Sequence, residues 1–309
     1  MNLRHRLLMK LLFRRAPSHV PDLSYANANQ PPLKRWVIRS IEGVSGRRRF
    51  MKLYDTWRRE IVPSRDRVFS RMLALLGITV RTHGAWPPAN LPDCPLVMIA
   101  NHPFGIGDGI AILSLAEQLG RPFKVMIHAD LLRVPEIRDY SLPVDFSETR
   151  EATKNNLAVR HEAVRLLREG VTIVIFPSGG VATAPKGFGA AEDLPWKLFP
   201  AKLVQETRAS VIPVHFSGQN GPLFHLVSRF SITLRLSLLI REFARLAGRS
   251  IDVTPGAVIS WEDLAREDGR HALTRRLHRA VFDLACPAKR PPRLGFLRKV
   301  VQVAPRRAA

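Results

Sequence analysis

The chain has 309 residues, enough for one large α/β domain with appendages or for two small domains. Hydrophobic residues make up 46% of it, which suffices for a full globular core and argues against wholesale disorder. The formal net charge of +22 predicts a negatively charged partner, either nucleic acid or an anionic membrane face. Cys94 and Cys286 lie far apart with no CxxC pair, so we expect neither a disulfide framework nor a zinc site.

The first residues, MNLRHRLLMKLLFRRAP, place leucines at helical spacing and basic side chains mostly elsewhere around the helix. Such a basic amphipathic helix suits a membrane surface, and a solvated arm that binds nothing is the alternative. Lys10 interrupts the apolar run and no small-residue cleavage site follows, which argues against a signal peptide. No run of about 18 apolar residues occurs, so no spanning helix is predicted. We expect residues 1–32 to be a basic arm and linker.

The rest of the chain predicts one α/β domain over 33–285. A helical pattern in two or three pieces fills 33–76, with a break at Pro63-Ser64, where Ser64 is a candidate N-cap. Strands are then predicted at 78–84, 96–100, 123–128, 171–176, 210–216 and 250–256. Helices are predicted at 108–119, 150–169, 196–208, 225–247 and 262–285. This alternation predicts a mixed, mostly parallel sheet covered by helices, with its core over 77–260. Residues 286–309 form a basic tail that we expect to be flexible.

The stretch ANHPFGIGDG (100–109) directly follows an apolar strand. His102 therefore lies just past the carboxyl end of a strand, where open α/β sheets bind ligands. The glycine-rich loop can fold His102 back onto Asp108, which would orient the imidazole and stabilise its protonated form. The histidine could then take a proton from an alcohol. On spacing alone, a helix capped by Asp108 with an incidental histidine is an equal alternative.

A metal site is an open alternative, whereas nucleophilic catalysis by a cysteine or a serine is disfavoured. His128 and Asp130 also lie beyond a strand end, so with His102 and Asp108 they could form a metal site, although nothing fixes their mutual distances. Neither cysteine is placed as a nucleophile, and Ser178 lacks the GxSxG spacing of a nucleophile elbow.

A second glycine-bearing loop, FPSGGVATAPKG (176–187), follows the strongest predicted strand. Its backbone N–H groups could face an anion, with Lys186 nearby. The alternative is an ordinary connection between a strand and the next helix, which would contain the same types of residue.

Four blocks occur in order over about 94–225, namely NHPFGIGD, PEIRDYSLPVDF, FPSGGVAT and VIPVHFSGQNGPLF. Together they resemble the lysophospholipid/glycerolipid acyltransferase superfamily, most closely its bacterial hemolysin-like branch. The resemblance spans most of 33–265 and implies a single acyltransferase-type α/β domain. It implies an enzyme that moves a fatty acyl group from acyl carrier protein or coenzyme A to a hydroxyl of a lysolipid. The resemblance implies no metal and no redox cofactor.

The resemblance also implies roles for individual residues. His102 would be the general base and Asp108 its orienting partner, with five residues between them where the family usually has four. Ser178 replaces the glutamate of the third family block, and Val181 replaces the arginine credited with holding the acceptor's phosphate. That replacement puts acceptors with a free phosphate in doubt. Acceptor or acyl contacts are implied for the motif loops, at Asn101, Phe104, Gly105, Phe176, Pro177, Ser178, Gly179, Gly180 and Lys186.

The positive charge fits an enzyme that collects its substrate from a bilayer, because cationic side chains are attracted to anionic lipid. We therefore predict a peripheral protein on the cytoplasmic face of the bacterial inner membrane. The segment 225–247 could line an acyl groove, press on the membrane or be a core helix. Alternatives are N-acyl transfer in amino-acid lipid synthesis, a lytic protein, and a non-enzymatic protein that binds membranes or nucleic acid. Nucleic-acid binding is disfavoured because no helix-turn-helix, zinc spacing or aromatic-rich strand pair is found.

Overall fold

The structure is a computed structural model that describes residues 43, 47–93, 95–147 and 149–285. The predicted basic arm over 1–32 and the predicted tail over 286–309 lie outside the described residues, as does most of 33–46. Within the part of the chain that the structure describes, no helix combines the length and apolar character that crossing a membrane requires.

Seven strands of the described residues span β1 Thr79–Thr82, β2 Leu96–Ala100, β3 Phe123–His128, β4 Ser141–Val144, β5 Thr172–Ile175, β6 Ser210–Ser217 and β7 Ser250–Pro255. They form one sheet in the order β1-β7-β6-β2-β5-β3-β4. Every neighbouring pair is parallel except β6 and β7, which are antiparallel. The predicted α/β fold with a mixed, mostly parallel sheet is confirmed.

The α-helices are α1 Arg47–Thr56, α2 Val68–Leu75, α3 Ile106–Glu117, α4 Arg150–Arg168, α5 Phe199–Thr207, α6 Pro222–Ser228, α7 Ile232–Leu246, α8 Trp261–Leu264 and α9 Gly269–Phe282. They cover both faces of the sheet. Leu96 and Met98 of β2 pack into a core with α2 and α3, whereas Val97 and Ile99 pack into a second core with α4, α5 and α9. Burial on both faces explains why β2 is a continuous apolar run.

Several local predictions differ from the structure. The helix predicted over 262–285 is two helices, α8 and α9. Ser64 does not cap α2, because its hydroxyl donates to the Ile61 carbonyl at 2.7 Å and the helix begins only at Val68. The sequence pattern misses β4, whose Pro143 is tolerated because the strand lies at the edge of the sheet. The helix predicted over 225–247 is two helices, α6 and α7, and the Ser231 hydroxyl caps the second.

The site lies where three adjacent strands end. β2 lies between β5 and β6 and is parallel to both, so the carboxyl ends of these strands share one edge of the sheet. The chain leaves that edge through the loops that begin at 101, 176 and 218. Loops at this edge are where open α/β sheets bind their ligands.

Candidate active site

A histidine and a buried carboxylate meet at the end of β2. Nδ1 of His102 lies 3.0 Å from Oδ1 of Asp108, whose side chain is wholly buried. The other Asp108 oxygen accepts the backbone N–H of Phe104 at 2.8 Å. The carboxylate is therefore fixed, with one oxygen held by the backbone and the other facing the imidazole.

The pair is in ion-pair contact but lacks the alignment of a linear hydrogen bond. Catalytic hydrogen bonds are often poorly aligned before substrate binds and tighten only in the complex. Because Nδ1 faces Asp108, Nε2 is the ring nitrogen left to accept a proton. His102 keeps 17% of its side chain exposed, so a substrate can reach the ring.

Asp108 is not the N-cap of α3, contrary to the sequence prediction. The helix begins at Ile106, and Gly105 is its N-cap residue, with a φ of 82°. This left-handed conformation suits glycine, and a Cβ at Gly105 would lie 3.0 Å from side-chain carbons of Val181 and Leu239. The tight turn moves Asp108 into the first turn of the helix, where its carboxylate points back to the loop.

Two further groups hold the imidazole in place. The ring stacks on Phe176, with centroids 4.1 Å apart and planes tilted by 27°. The backbone N–H of His102 donates to Asp193 at 3.1 Å, and Trp196 donates to the other oxygen of Asp193 at 3.0 Å. Burial raises the pKa of Asp193, while these two hydrogen bonds oppose that shift. The sequence analysis missed Asp193, since it lies 91 positions from its partner.

The loop 176–187 packs against the histidine through its backbone. The N–H of Ala182 donates to the carbonyl of His102 at 2.7 Å. The hydroxyl of Ser178 is buried and donates to the carbonyl of Gly180 at 2.9 Å. Gly179 has a φ of 67°, and its N–H donates to the carbonyl of Phe176 at 3.0 Å. Ser178 thus stabilises the turn, and its predicted ligand contact stays a prediction.

Of the remaining predicted contact residues, Asn101, Phe104 and Pro177 are buried, whereas Lys186 is exposed. The side chain of Asn101 is buried and joins the ends of β2 and β6 through two hydrogen bonds with Phe216, of 2.9 and 2.7 Å. Phe104 is also nearly buried, and the carbonyl of Pro177 accepts the N–H of Lys197. Lys186 is exposed, and within the described residues its side chain forms no ion pair.

The structure does not assemble the alternative metal site. His128 and Asp130 form their own exposed pair, with Nδ1 and Oδ2 3.8 Å apart. No group of three or more His, Cys, Asp or Glu side chains suited to a metal ion occurs among the described residues. The four residues named for that alternative therefore form two separate pairs.

Comparison with protein families identifies the domain that carries this site. Residues 81–217 match the family model described as Acyltransferase. These residues form an acyltransferase domain. The match includes β2, β5 and β6 together with His102 and Asp108. The predicted resemblance to the acyltransferase superfamily is confirmed, and the candidate site lies inside the acyltransferase domain.

Two curated relatives have the same name. A lyso-glycine lipid O-acyltransferase from Phocaeicola vulgatus is 24% identical over 188 residues, covering 56% of this chain and 62% of the relative. Its counterpart from Bacteroides thetaiotaomicron is 25% identical over 189 residues, covering 56% and 64%. The chain thus spans less than two thirds of the length of either relative.

Among solved structures, the 1-acyl-sn-glycerophosphate (LPA) acyltransferase PlsC from Thermotoga maritima gives a TM-score of 0.45 with 16% identity. The comparison covers 82% of this chain and 81% of that chain.

Proposed function

We propose that this protein transfers a fatty acyl group from an acyl thioester to a hydroxyl of a lysolipid. The observation that carries the proposal is the buried carboxylate of Asp108, 3.0 Å from the imidazole of a partly exposed His102 at the carboxyl edge of the sheet. A fixed carboxylate that orients a histidine is the arrangement that makes Nε2 a general base toward an alcohol. The match of residues 81–217 to the Acyltransferase family model supports the same chemistry.

The reaction follows from that arrangement. Nε2 of His102 removes the proton of the acceptor hydroxyl while the hydroxyl oxygen attacks the thioester carbonyl carbon. Asp108 stabilises the imidazolium that forms. The tetrahedral intermediate then expels the thiolate, which takes the proton from Nε2, and an ester and a thiol are released. These steps draw on the two side chains and an acyl donor, either acyl carrier protein or coenzyme A.

The acceptor we propose has no free phosphate monoester. Val181 stands where the family's phosphate-holding arginine is expected, and its side chain is buried. Valine offers no donor, and a buried phosphate without charged partners is strongly disfavoured. The names of the two curated relatives, which act on a lyso-glycine lipid, support the same choice. We also propose that the chain belongs to the bacterial hemolysin-like branch, which its sequence blocks resemble most closely.

The proposed place of action is a membrane surface. Phe188 and Phe230 are 70% and 76% exposed, and Leu226 is 47% exposed. Arg229 donates to the carbonyl of Lys186 at 3.1 Å, so the loop 185–189 and the end of α6 present one surface. We call these five residues the apolar-basic surface. Exposed aromatic side chains beside cations suit an anionic lipid interface, such as the cytoplasmic face of the inner membrane.

Purified protein incubated with labelled acyl thioester and a panel of lysolipids tests the function. We expect transfer to a lyso-glycine lipid with a kcat/KM well above that for 1-acylglycerol 3-phosphate. A preference for 1-acylglycerol 3-phosphate would refute the argument from Val181. Mild alkali then separates the two classes of product, because it cleaves esters and leaves amides. An alkali-stable product would favour the N-acyltransferase alternative.

A further inference from the structure

A cation without an acidic partner lies beside the active-site loop. Arg235, on α7, is half-buried, and its Nη2 donates to the carbonyl of Val181 at 2.5 Å. The guanidinium carbon lies 5.6 Å from the ring centroid of Phe224, which is fully buried. Within the described residues, no carboxylate lies within ion-pair distance of Arg235 and no other hydrogen bond of its side chain is formed.

A single peptide unit connects this cation to the histidine. The peptide between Val181 and Ala182 accepts from Arg235 through its C=O, and it donates to His102 through its N–H at 2.7 Å. These two contacts and the size of one peptide unit place Nη2 of Arg235 within about 8 Å of the His102 carbonyl oxygen. The family's arginine is expected at position 181 itself. Arg235 thus brings a guanidinium from α7 to the backbone carbonyl of that position.

Among the described residues, no carboxylate offsets the charge of Arg235. Burial lowers the pKa of the guanidinium. Arginine nevertheless stays protonated in proteins. A partly desolvated charge is unfavourable unless it is paired, and the Phe224 ring and one carbonyl compensate for it only in part. The N–H groups that remain form a fork suited to an anion.

We infer that Arg235 binds the head-group carboxylate of an N-acylated amino-acid lysolipid, the acceptor class within the proposed function on which this inference rests. A glycine joined to its lipid through the amine keeps a carboxylate, whereas a glycine joined through the carboxyl group keeps an amine, which a guanidinium repels. One guanidinium that already uses an N–H for Val181 matches a monoanion better than a phosphate dianion.

The chemistry of such an acceptor sets the spacing that the inference requires. Glycine has no hydroxyl, so the hydroxyl that accepts the acyl group must lie on the lipid chain. In an N-(β-hydroxyacyl)glycine the hydroxyl oxygen and the carboxylate carbon are at most about 7 Å apart. The inference requires this span to bridge Nε2 of His102 and a free N–H of Arg235.

The test uses two acceptors and three proteins, with Arg235→Lys as a fourth protein that tests rescue. The acceptors are an N-(β-hydroxyacyl)glycine and its primary amide, which differ only in the carboxylate. The proteins are the wild type, Arg235→Gln, and Arg241→Gln as a control on the same helix, where Arg241 forms no ion pair among the described residues. We expect Arg235→Gln to raise KM for the acid about 10- to 100-fold with little change in kcat, the size expected for a hydrogen bond to a charged group.

For the amide, Arg235→Gln should leave both parameters near the wild type, and Arg241→Gln should change neither acceptor. Arg235→Lys should recover part of the loss, because lysine keeps the charge but not the fork. A merely structural role would lower transfer to acid and amide alike, together with the melting temperature. That result would overturn the inference.

Equilibrium binding keeps this inference separate from the proposed function. If the wild type transfers to neither acceptor, the proposed function fails. The binding of the acid and the amide, followed by calorimetry with the same proteins, then decides the role of Arg235. Tighter binding of the acid that is lost only in Arg235→Gln supports the inference, and an unchanged ratio between acid and amide overturns it.

Discussion

Asparagine at position 108 should inactivate the enzyme without unfolding it. In the wild type, one oxygen of Asp108 accepts the N–H of Phe104 at 2.8 Å, and the other lies 3.0 Å from Nδ1 of His102. The Phe104 N–H needs an oxygen, so in Asp108→Asn the amide oxygen stays there and the amide NH₂ faces Nδ1. Nδ1 must then lack its proton, which places the ring proton on Nε2. The nitrogen that faces the substrate can no longer act as a base.

The size of the effect follows from the loss of one buried carboxylate. A carboxylate that orients a catalytic histidine contributes about 10²- to 10⁴-fold in rate, which corresponds to about 3–5 kcal/mol of transition-state stabilisation. We therefore expect kcat to fall about 10²- to 10⁴-fold, while KM for the acceptor changes little. The melting temperature should stay close to that of the wild type, because the shape and the hydrogen bond to Phe104 are kept.

The assay is transfer of a labelled acyl group to a lyso-glycine lipid at saturating donor. Asp130→Asn is the matched control, since Asp130 pairs with His128 in an exposed contact of 3.8 Å and takes no part in the proposed reaction. It should retain wild-type turnover. If Asp108→Asn kept more than about a tenth of the wild-type kcat, orientation of His102 by a carboxylate would be the wrong account.

Three further predictions concern stability and membrane binding. Burial lowers the pKa of His215, so the unfolded state binds more protons than the folded state as the pH falls below about 6.5. The free energy of unfolding should therefore decrease below that pH, and the decrease should be smaller in His215→Gln. Gly105→Ala should cost about 1–3 kcal/mol and reduce activity, because its φ is 82° and the new Cβ would crowd two side chains. A Cβ at Gly109 would meet no atom within 4 Å, so Gly109→Ala should be neutral or stabilising. Equal losses of stability in Gly105→Ala and Gly109→Ala, measured in denaturant melts, would contradict the steric argument. Phe230→Ser should weaken binding to anionic vesicles about tenfold in a sedimentation assay, whereas Leu157→Ser, on the exposed face of α4, should not weaken it. Equal binding by both variants would exclude the apolar-basic surface as the membrane contact.

Short apolar strands were the most predictable part of the fold. The predicted bounds of β2, which is buried on both faces, and of β3, which is only partly buried, agree with the structure, because an apolar run bounded by loops is typical of strands. The break between α6 and α7 was not predictable in this way. Phe230 continues the apolar helical pattern across the break, although its side chain is 76% exposed. The periodicity of a sequence shows how its apolar residues are spaced, but it does not show which of them are buried.

The candidate site was predictable where the contacts are local. His102 and Asp108 are close in sequence, and the glycines between them indicate a turn, so their proximity follows from spacing. The capping role predicted for Asp108 was wrong because Gly105 starts the helix earlier. Arg235 and Asp193 carry no local signal, because each reaches the site from a distant segment through one hydrogen bond. Only the tertiary structure brings such residues together.

The most direct test of the proposed function is a side-by-side measurement of acyl transfer by the wild type and His102→Gln. Purified full-length proteins are supplied with one labelled acyl thioester and a lyso-glycine lipid, and the ester product is quantified. We expect the wild type to form the ester and His102→Gln to fall by at least about 10³-fold with an unchanged melting temperature. Turnover by His102→Gln close to the wild type, in a folded protein, would contradict the assignment of His102 as the general base.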